Sequence, residues 1–87
     1  IMKYSMVELT EDKDIKPLGF INLKFTPTIG ITFTNISLEY GKRCRYKVVD
    51  VSYPINFVEQ IGNSYKIEQV KKVEPLLVVE ALFEEDI

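Results

Sequence analysis

Residues 45–53, which read R-Y-K-V-V-D-V-S-Y, constrain the fold more than any other part of the chain. Successive side chains of a β-strand point to opposite faces, so the apolar residues of a half-buried strand recur at every second position. Tyr46 and Val48 lie on one face, whereas Val49 and Val51 lie on the other. The inner face therefore changes sides within one strand, which requires a β-bulge, a strong bend or burial on both faces. A bent central strand is typical of small barrels and tightly curved sheets.

The chain has 87 residues, of which 46% are hydrophobic, with five Phe and five Tyr among them. This length predicts one domain, residues 1–87, near the small end of what folds without a metal or a disulfide. Ordering a chain costs about 1.5 kcal/mol per residue, so the net stability of so small a core is low. Because dimerisation would bury further apolar surface, we expect a homodimer.

Short stretches of alternating apolar residues, separated by turn signals, indicate a chain made mostly of strands. In the clearest stretch Ile31 and Phe33 alternate with threonines, and the inner face is expected to shift after Asn35 so that Ile36 and Tyr40 continue it. The expected strands are residues 2–9, 18–25, 29–40, 43–57 and 76–83, with a charged loop before the second. The residues expected in the core are Ile31, Phe33, Val49 and Val51.

Two hairpin turns are predicted from glycine positions. Gly41 at the first central position of a two-residue loop with Lys42 suits a type II′ turn, which would place Tyr40 beside Arg43. Residues 62–64, G-N-S, predict the second turn.

Residues 64–74 fit two structures. Tyr65 and Ile67 alternate as in a strand, whereas Ile67 and Val70 belong to a helical stripe that Pro75 would end. The segment is short and lacks the glutamate that completes a helix-capping box, so a strand is favoured over a short helix.

These patterns predict a mainly β domain, either a small curved antiparallel sheet or a partly open barrel of five to six strands, with the short helix at 64–74 as the alternative to a strand there. In strand count the pattern looks like the SH3-like and OB-like barrels. Such a likeness implies no function, because function resides in sites rather than folds.

The composition argues against an enzyme. The chain has no His, a single cysteine (Cys44), and no phosphate-binding or nucleophile motif. Asp50 stands among valines, either as a buried acid with a raised pKa or, as we favour, as an exposed or bulge residue bonded to backbone. Glu11, Asp12 and Asp14 lack the Gly and the distal Glu of a calcium loop and are expected in a solvated loop. We expect no catalytic residue, cofactor or metal.

One candidate interaction surface is basic. Residues 25–48 are net positive and residues 49–87 are net negative. Cations interleaved with aromatic rings are what single-stranded nucleic acid requires. Tyr46, however, lies on the opposite face from Arg43 and Arg45. The candidate contact residues are Tyr40, Lys42, Arg43, Arg45 and Lys47.

The second candidate surface is the last expected strand, residues 76–83, which is apolar on both faces except at Glu80. Such a strand is either central to the sheet or an edge that pairs with a second copy, and we expect the edge. The contact residues would be Val79, Leu82 and Phe83. The acids at 84–86 are expected to fray.

Together these patterns favour a non-enzymatic β domain that acts through protein–protein contact, by self-association, with a protein partner, or both, in an accessory or assembly role. The alternative is a single-stranded nucleic-acid-binding barrel that uses the basic hairpin at 40–47. No apolar run is long enough to span a membrane, and the first residues lack the apolar core of a secretory signal, which predicts a cytoplasmic protein.

Overall fold

The computed structural model describes residues 2–69 and 73–86, and within these ranges the chain forms seven strands and no helix. The prediction of a small, curved, mainly β domain is confirmed. The strand expected after residue 64 is confirmed over 64–69, while residues 70–72 lie outside the described ranges. The strands are β1 (Met2–Leu9), β2 (Ile15–Leu23), β3 (Thr32–Ser37), β4 (Lys42–Ser52), β5 (Asn56–Ile61), β6 (Ser64–Gln69) and β7 (Leu76–Asp86).

Five strands form one curled sheet, a half-barrel, in the order β2-β1-β7-β4-β3. The sheet is mixed, because β1 and β7 run parallel while every other neighbouring pair is antiparallel. The remaining strands, β5 and β6, pair only with each other.

β7 occupies the centre of the half-barrel, between β1 and β4. The expectation that this strand forms an exposed edge is therefore wrong, and Val79 is fully buried with Leu77. A central strand is paired along both of its edges, and here Leu77 and Val79 fill the inner face while Leu76 and Val78 on the other face are half-buried. The expectation that the tail frays is also wrong, because β7 continues to Asp86 in register with Lys42 of β4.

The core lies on one face of the half-barrel, the inner face. It consists of Tyr4, Met6, Leu23, Val48, Leu77 and Val79, with Leu18, Ile21, Phe33, Tyr46 and Val51 packed against it. Each fully buried aliphatic side chain contributes roughly 1.5–3 kcal/mol relative to exposure. The placement of Ile31 in the core is wrong: it precedes β3, next to Gly30 at φ +94°, and 37% of it is exposed.

The change of faces in β4 is a β-bulge. Val48 pairs with Val79 and Asp50 pairs with Val78, so that Val49 is an extra residue without a partner in β7. Of the three alternatives that the sequence left open, the structure shows the bulge. The inner face continues from Val48 to Val51, and the placement of Val49 in the core is wrong, because Val49 is only half-buried. Further bulges occur at Leu18 in β2 and at Leu82 in β7. Bulges increase local twist, which helps the sheet to curl.

β3 shows no change of faces. Its pairing with β4 is regular from Thr32 to Ser37, so side chains keep strict alternation. The shift predicted after Asn35 is therefore wrong, and Ile36 points away from the inner face with 60% of its surface exposed. Polar Asn35 and Ser37 occupy inner-face positions in its place.

Several element boundaries differ from the expected ones. Ser37 pairs with Lys42, so residues 38–41 form a four-residue loop rather than a two-residue turn, and Tyr40 lies in that loop instead of opposite Arg43. β4 ends at Ser52, since prolines cannot donate to the ladder and Pro54 follows. β2 begins at Ile15, earlier than expected, and includes Pro17 in an edge strand.

Candidate interaction surfaces

The hairpin formed by β5 and β6, residues 56–69, is the least covered part of the described chain, and we call it the arm. Ile61 pairs with Ser64 across a two-residue turn, with Gly62 at φ +61° in the position where a type II′ turn requires a positive φ. Every residue of both strands is exposed. No residue of the arm belongs to the core.

The two faces of the arm differ in charge. Cross-strand partners share a face, so Val58 lies beside Ile67, and Gln60 lies beside Tyr65. We call this side the apolar face, because it carries no charge and its Val58, Tyr65 and Ile67 are each more than 60% exposed; Asn56, Gln60 and Gln69 complete it. The opposite face carries Phe57, Glu59, Ile61, Lys66 and Glu68, with Lys66 Nζ 2.9 Å from Glu68 Oε1.

The chain is more extended than a compact domain of the same length. The radius of gyration is 16.1 Å, with extents of 56 × 32 × 24 Å. A compact domain of this length would have a radius of about 12 Å. The accessible surface is 6849 Å², whereas a compact monomer of 10.1 kDa would expose about 5,300 Å². The chain thus leaves about 1,500 Å² more surface in water than a compact monomer would.

The basic residues of β4 face the acidic end of β7. Lys42 Nζ lies 3.3 Å from Glu84 Oε1 and 3.9 Å from Asp86 Oδ1, and Arg43 pairs with Glu85. All of these groups are exposed, so each pair contributes no more than about 1 kcal/mol. They offset the positive charge of two of the four basic residues of β4, Lys42 and Arg43.

The other two basic residues of β4, Arg45 and Lys47, lie on the opposite face from Tyr46. Arg45 Nη2 donates to Thr32 Oγ1 at 3.1 Å, and Lys47 lies opposite Glu80 in the ladder. Tyr46 is half-buried and packs on Phe33, with ring centroids 5.7 Å apart. The structure therefore keeps Arg43, Arg45 and Lys47 on the opposite face from Tyr46, as the alternation of the sequence also indicated. Lys42 shares the face of Tyr46, and it pairs with Glu84.

An open groove lies at the end of the inner face, beside β3. Its volume is about 480 Å³, and its lining includes Tyr40, Cys44 and Tyr46 together with the ion pair of Lys42 and Glu84. Burial raises the pKa of Tyr46, and a hydrogen bond with Cys44 and the charges of Glu8 and Glu84 raise it further.

A second tyrosine lies deeper in the core. Tyr4 is 1% exposed. Burial raises the pKa of Tyr4, and a hydrogen bond with Tyr53 adds to this effect. Its role is to fill the core while its hydroxyl group keeps a polar partner.

The acidic candidates form no site. Asp50 is exposed and its Oδ1 accepts a hydrogen bond from the Val51 amide at 2.9 Å, which confirms the favoured interpretation of a residue at the bulge. Glu11, Asp12 and Asp14 lie in the loop between β1 and β2. Among residues 2–69 and 73–86, no group of three or more potential ligands could hold a metal ion.

The expected contact residues of β7 separate into two groups. Val79 is fully buried, whereas Leu82 and Phe83 are 47% and 46% exposed. Leu82 is the extra residue of the bulge, and Phe83 lies opposite Arg45. Pairing with β1 ends at Val79. The second half of β7 is thus held by β4 alone within the described strands.

The sequence interpretation missed the arm as a candidate surface. The sequence contains a pattern that indicates the arm. Apolar residues flank the turn at Gly62 on both sides, namely Phe57 and Val58 before it and Tyr65 and Ile67 after it. Treating residues 43–57 as one strand concealed it, because this assigned the first apolar residues of the arm to the end of β4.

The chain matches no protein family, and comparisons with curated proteins and with solved structures found no significant similarity. In the part of the chain that the structure describes, no helix has the length and apolar character needed to cross a membrane.

Proposed function

We propose that this protein is a non-enzymatic β domain that acts by binding protein through the arm, in an accessory or assembly role. The observation that carries this proposal is an exposed hairpin that contacts no other strand of the described chain. An isolated two-stranded hairpin is marginally stable in water. A hairpin with one uncharged apolar face is therefore best explained by a surface that covers it.

In this proposal the half-barrel is the scaffold that holds the arm. Its core is complete without the arm, so the sheet can present the arm without depending on it. A cytoplasmic setting is part of the proposal, because a lone thiol such as Cys44 is compatible with a reducing compartment.

Nucleic-acid binding by residues 40–47 has weaker support, since acids of β7 pair with Lys42 and Arg43. We expect no salt-sensitive binding of a single-stranded oligonucleotide at micromolar protein. Micromolar binding that weakens, with a reduced salt slope, when both Arg43 and Arg45 are changed to Ala would favour this alternative instead.

Photocrosslinking tests the role of the arm directly. A photoreactive phenylalanine analogue replaces Tyr65 on the apolar face, and the matched control carries it at Glu59 on the opposite face. The purified chain and the chain in an extract of its source cells are irradiated. We expect one discrete protein adduct, either a dimer or a single other chain, from position 65 and much less from position 59. The absence of any protein adduct from position 65 in both samples would contradict the proposed function.

A further inference from the structure

The two edges of the half-barrel are protected to different degrees. β2 forms one edge and carries Lys16, Pro17 and a bulge at Leu18, all of which discourage pairing with another chain. β3 forms the other edge. Its six residues, Thr32–Ser37, contain no charge and no proline, and its ladder with β4 has no bulge. β3 therefore offers an unprotected edge to an added strand.

The arm has the dimensions to fill this edge. β5, β6 and β3 each have six residues, a length of about 20 Å in extended conformation. A hairpin added beside β3 would continue the inner face with its apolar side. Its side chains Val58 and Tyr65 would then lie over the groove lined by Tyr40 and Tyr46.

The arm of the same copy does not make this contact. It leaves the half-barrel after Ser52 of β4, whereas β3 pairs with the opposite half of β4, between Lys42 and Lys47. In the described part of the chain the arm touches no other strand. One chain thus carries both an unpartnered arm and an unpartnered edge of matching length, a combination that a second copy satisfies.

The exposed area also fits a dimer. The excess over a compact monomer is about 1,500 Å² per chain, and a standard interface buries about 800 Å² per partner. If both arms engage, the two copies use the same pair of surfaces, which closes the assembly by a two-fold axis. No third copy is then needed.

We propose that two copies associate by reciprocal arm exchange, in which the arm of each copy pairs with the β3 edge of the other. This inference rests on the proposed function, since it names the chain that the arm binds. Main-chain hydrogen bonds to β3 provide strand addition, and the apolar face of the arm closes the groove.

Two variants remove the two halves of the contact. In the arm variant, Val58→Lys and Ile67→Lys place charges on the apolar face. In the edge variant, Thr34→Pro removes one backbone donor. The direction of the Thr34 amide follows from Ile31, which bonds to β4 because Val48 N donates to Ile31 O. Main-chain hydrogen bonds to one neighbouring strand recur at every second residue, so residue 33 also bonds to β4 and the N–H of Thr34 points away from it. The matched controls are Glu59→Lys on the opposite face of the arm and Thr34→Ala, which keeps the donor.

Light scattering at tens of micromolar gives the first result. We expect the mass of two chains for the wild type and both controls, and of one chain for each variant, with unchanged circular dichroism spectra. An equimolar mixture of the two variants can form one arm–edge contact. It should dimerise again, with affinity lower than wild type by about 10²-fold or more because the second contact is lost. A monomeric wild type, or an edge variant that remains dimeric, would overturn the exchange.

Peptide mapping gives the second result and separates the two proposals. Isotope-labelled wild-type chain is mixed with unlabelled chain carrying the photoreactive group at position 65. A crosslink into residues 30–40 of the labelled chain supports the exchange. A crosslink into the other arm, or only into a different protein, overturns the exchange and leaves the proposed function standing. The absence of any protein crosslink contradicts both.

Discussion

β7 and the arm are both rich in apolar, strand-forming residues, yet Leu76–Val79 of β7 are buried or half-buried, whereas every residue of the two arm strands is exposed. In β7 the four residues Leu76–Val79 are apolar without interruption, and the strand lies between β1 and β4. In the arm, apolar residues alternate with Glu59, Lys66 and Glu68, and no third strand of the described residues pairs with it. Hydrophobicity predicts that a strand will be covered. The charges on one face show that the arm can be covered on one side only.

The largest expected effect concerns charge at two valines. Val79→Lys places an ammonium group at a fully buried position. Removing such an ion from water costs several kcal/mol, comparable with the 5–15 kcal/mol total stability of a typical domain. We expect this variant to be unfolded by circular dichroism, while Val58→Lys in the arm stays folded. A folded Val79→Lys protein would show that β7 is not central.

A smaller effect is expected from removing side chains without adding charge. Leu77→Ala should lower the free energy of unfolding by about 2–5 kcal/mol, because a cavity remains in the core. Ile67→Ala, at an arm position that is 62% exposed, should change monomer stability by no more than about 0.5 kcal/mol. Urea unfolding, at protein concentrations too low for the proposed dimer to form, measures both changes in free energy. Equal losses would mean that the arm packs on the half-barrel in solution.

High pH should weaken the half-barrel through its tyrosines. The pKa values of Tyr4 and Tyr46 are raised in the folded state, chiefly by burial. A raised pKa stabilises the fold fully below the unfolded value of about 10, and this contribution is lost as the pH rises above it. The urea midpoint should therefore fall between pH 9 and pH 11, and Tyr46→Phe should reduce that fall. An identical pH dependence in the variant would contradict the assignment.

The smallest effect is expected at the ion pairs between β4 and β7. Arg43→Ala should cost at most about 1 kcal/mol at low ionic strength, because its pair with Glu85 is exposed. The difference from wild type should disappear near 1 M salt, where the screening length is about 3 Å. Urea unfolding in a salt series measures it, and a loss that persists at high salt would indicate a packing role for Arg43.

The sequence predicted the features that depend on neighbouring residues. The bulge near Val49 follows from the alternation within β4 itself, and the turn at Gly62 follows from its local conformation. The position of β7 could not be obtained in this way, because an apolar strand is equally suited to a sheet centre or an interface. The pairing of Lys42 with Asp86 depends on which strands become neighbours. The arm escaped prediction because alternation identifies strands without showing whether anything covers them.

The parallel pairing of β1 with β7 has a consequence for the folding pathway. Residues 5–8 meet residues 76–79 only after most of the described chain has been brought together. Contacts so distant in sequence are slow to form, because the entropy of loop closure opposes them. The hairpins β1–β2, β3–β4 and β5–β6 are local and should form first. If β7 pairs last, Leu77→Ala should accelerate unfolding and leave the refolding rate nearly unchanged in stopped-flow kinetics. A slower refolding rate would instead mean that β7 takes part in the folding nucleus.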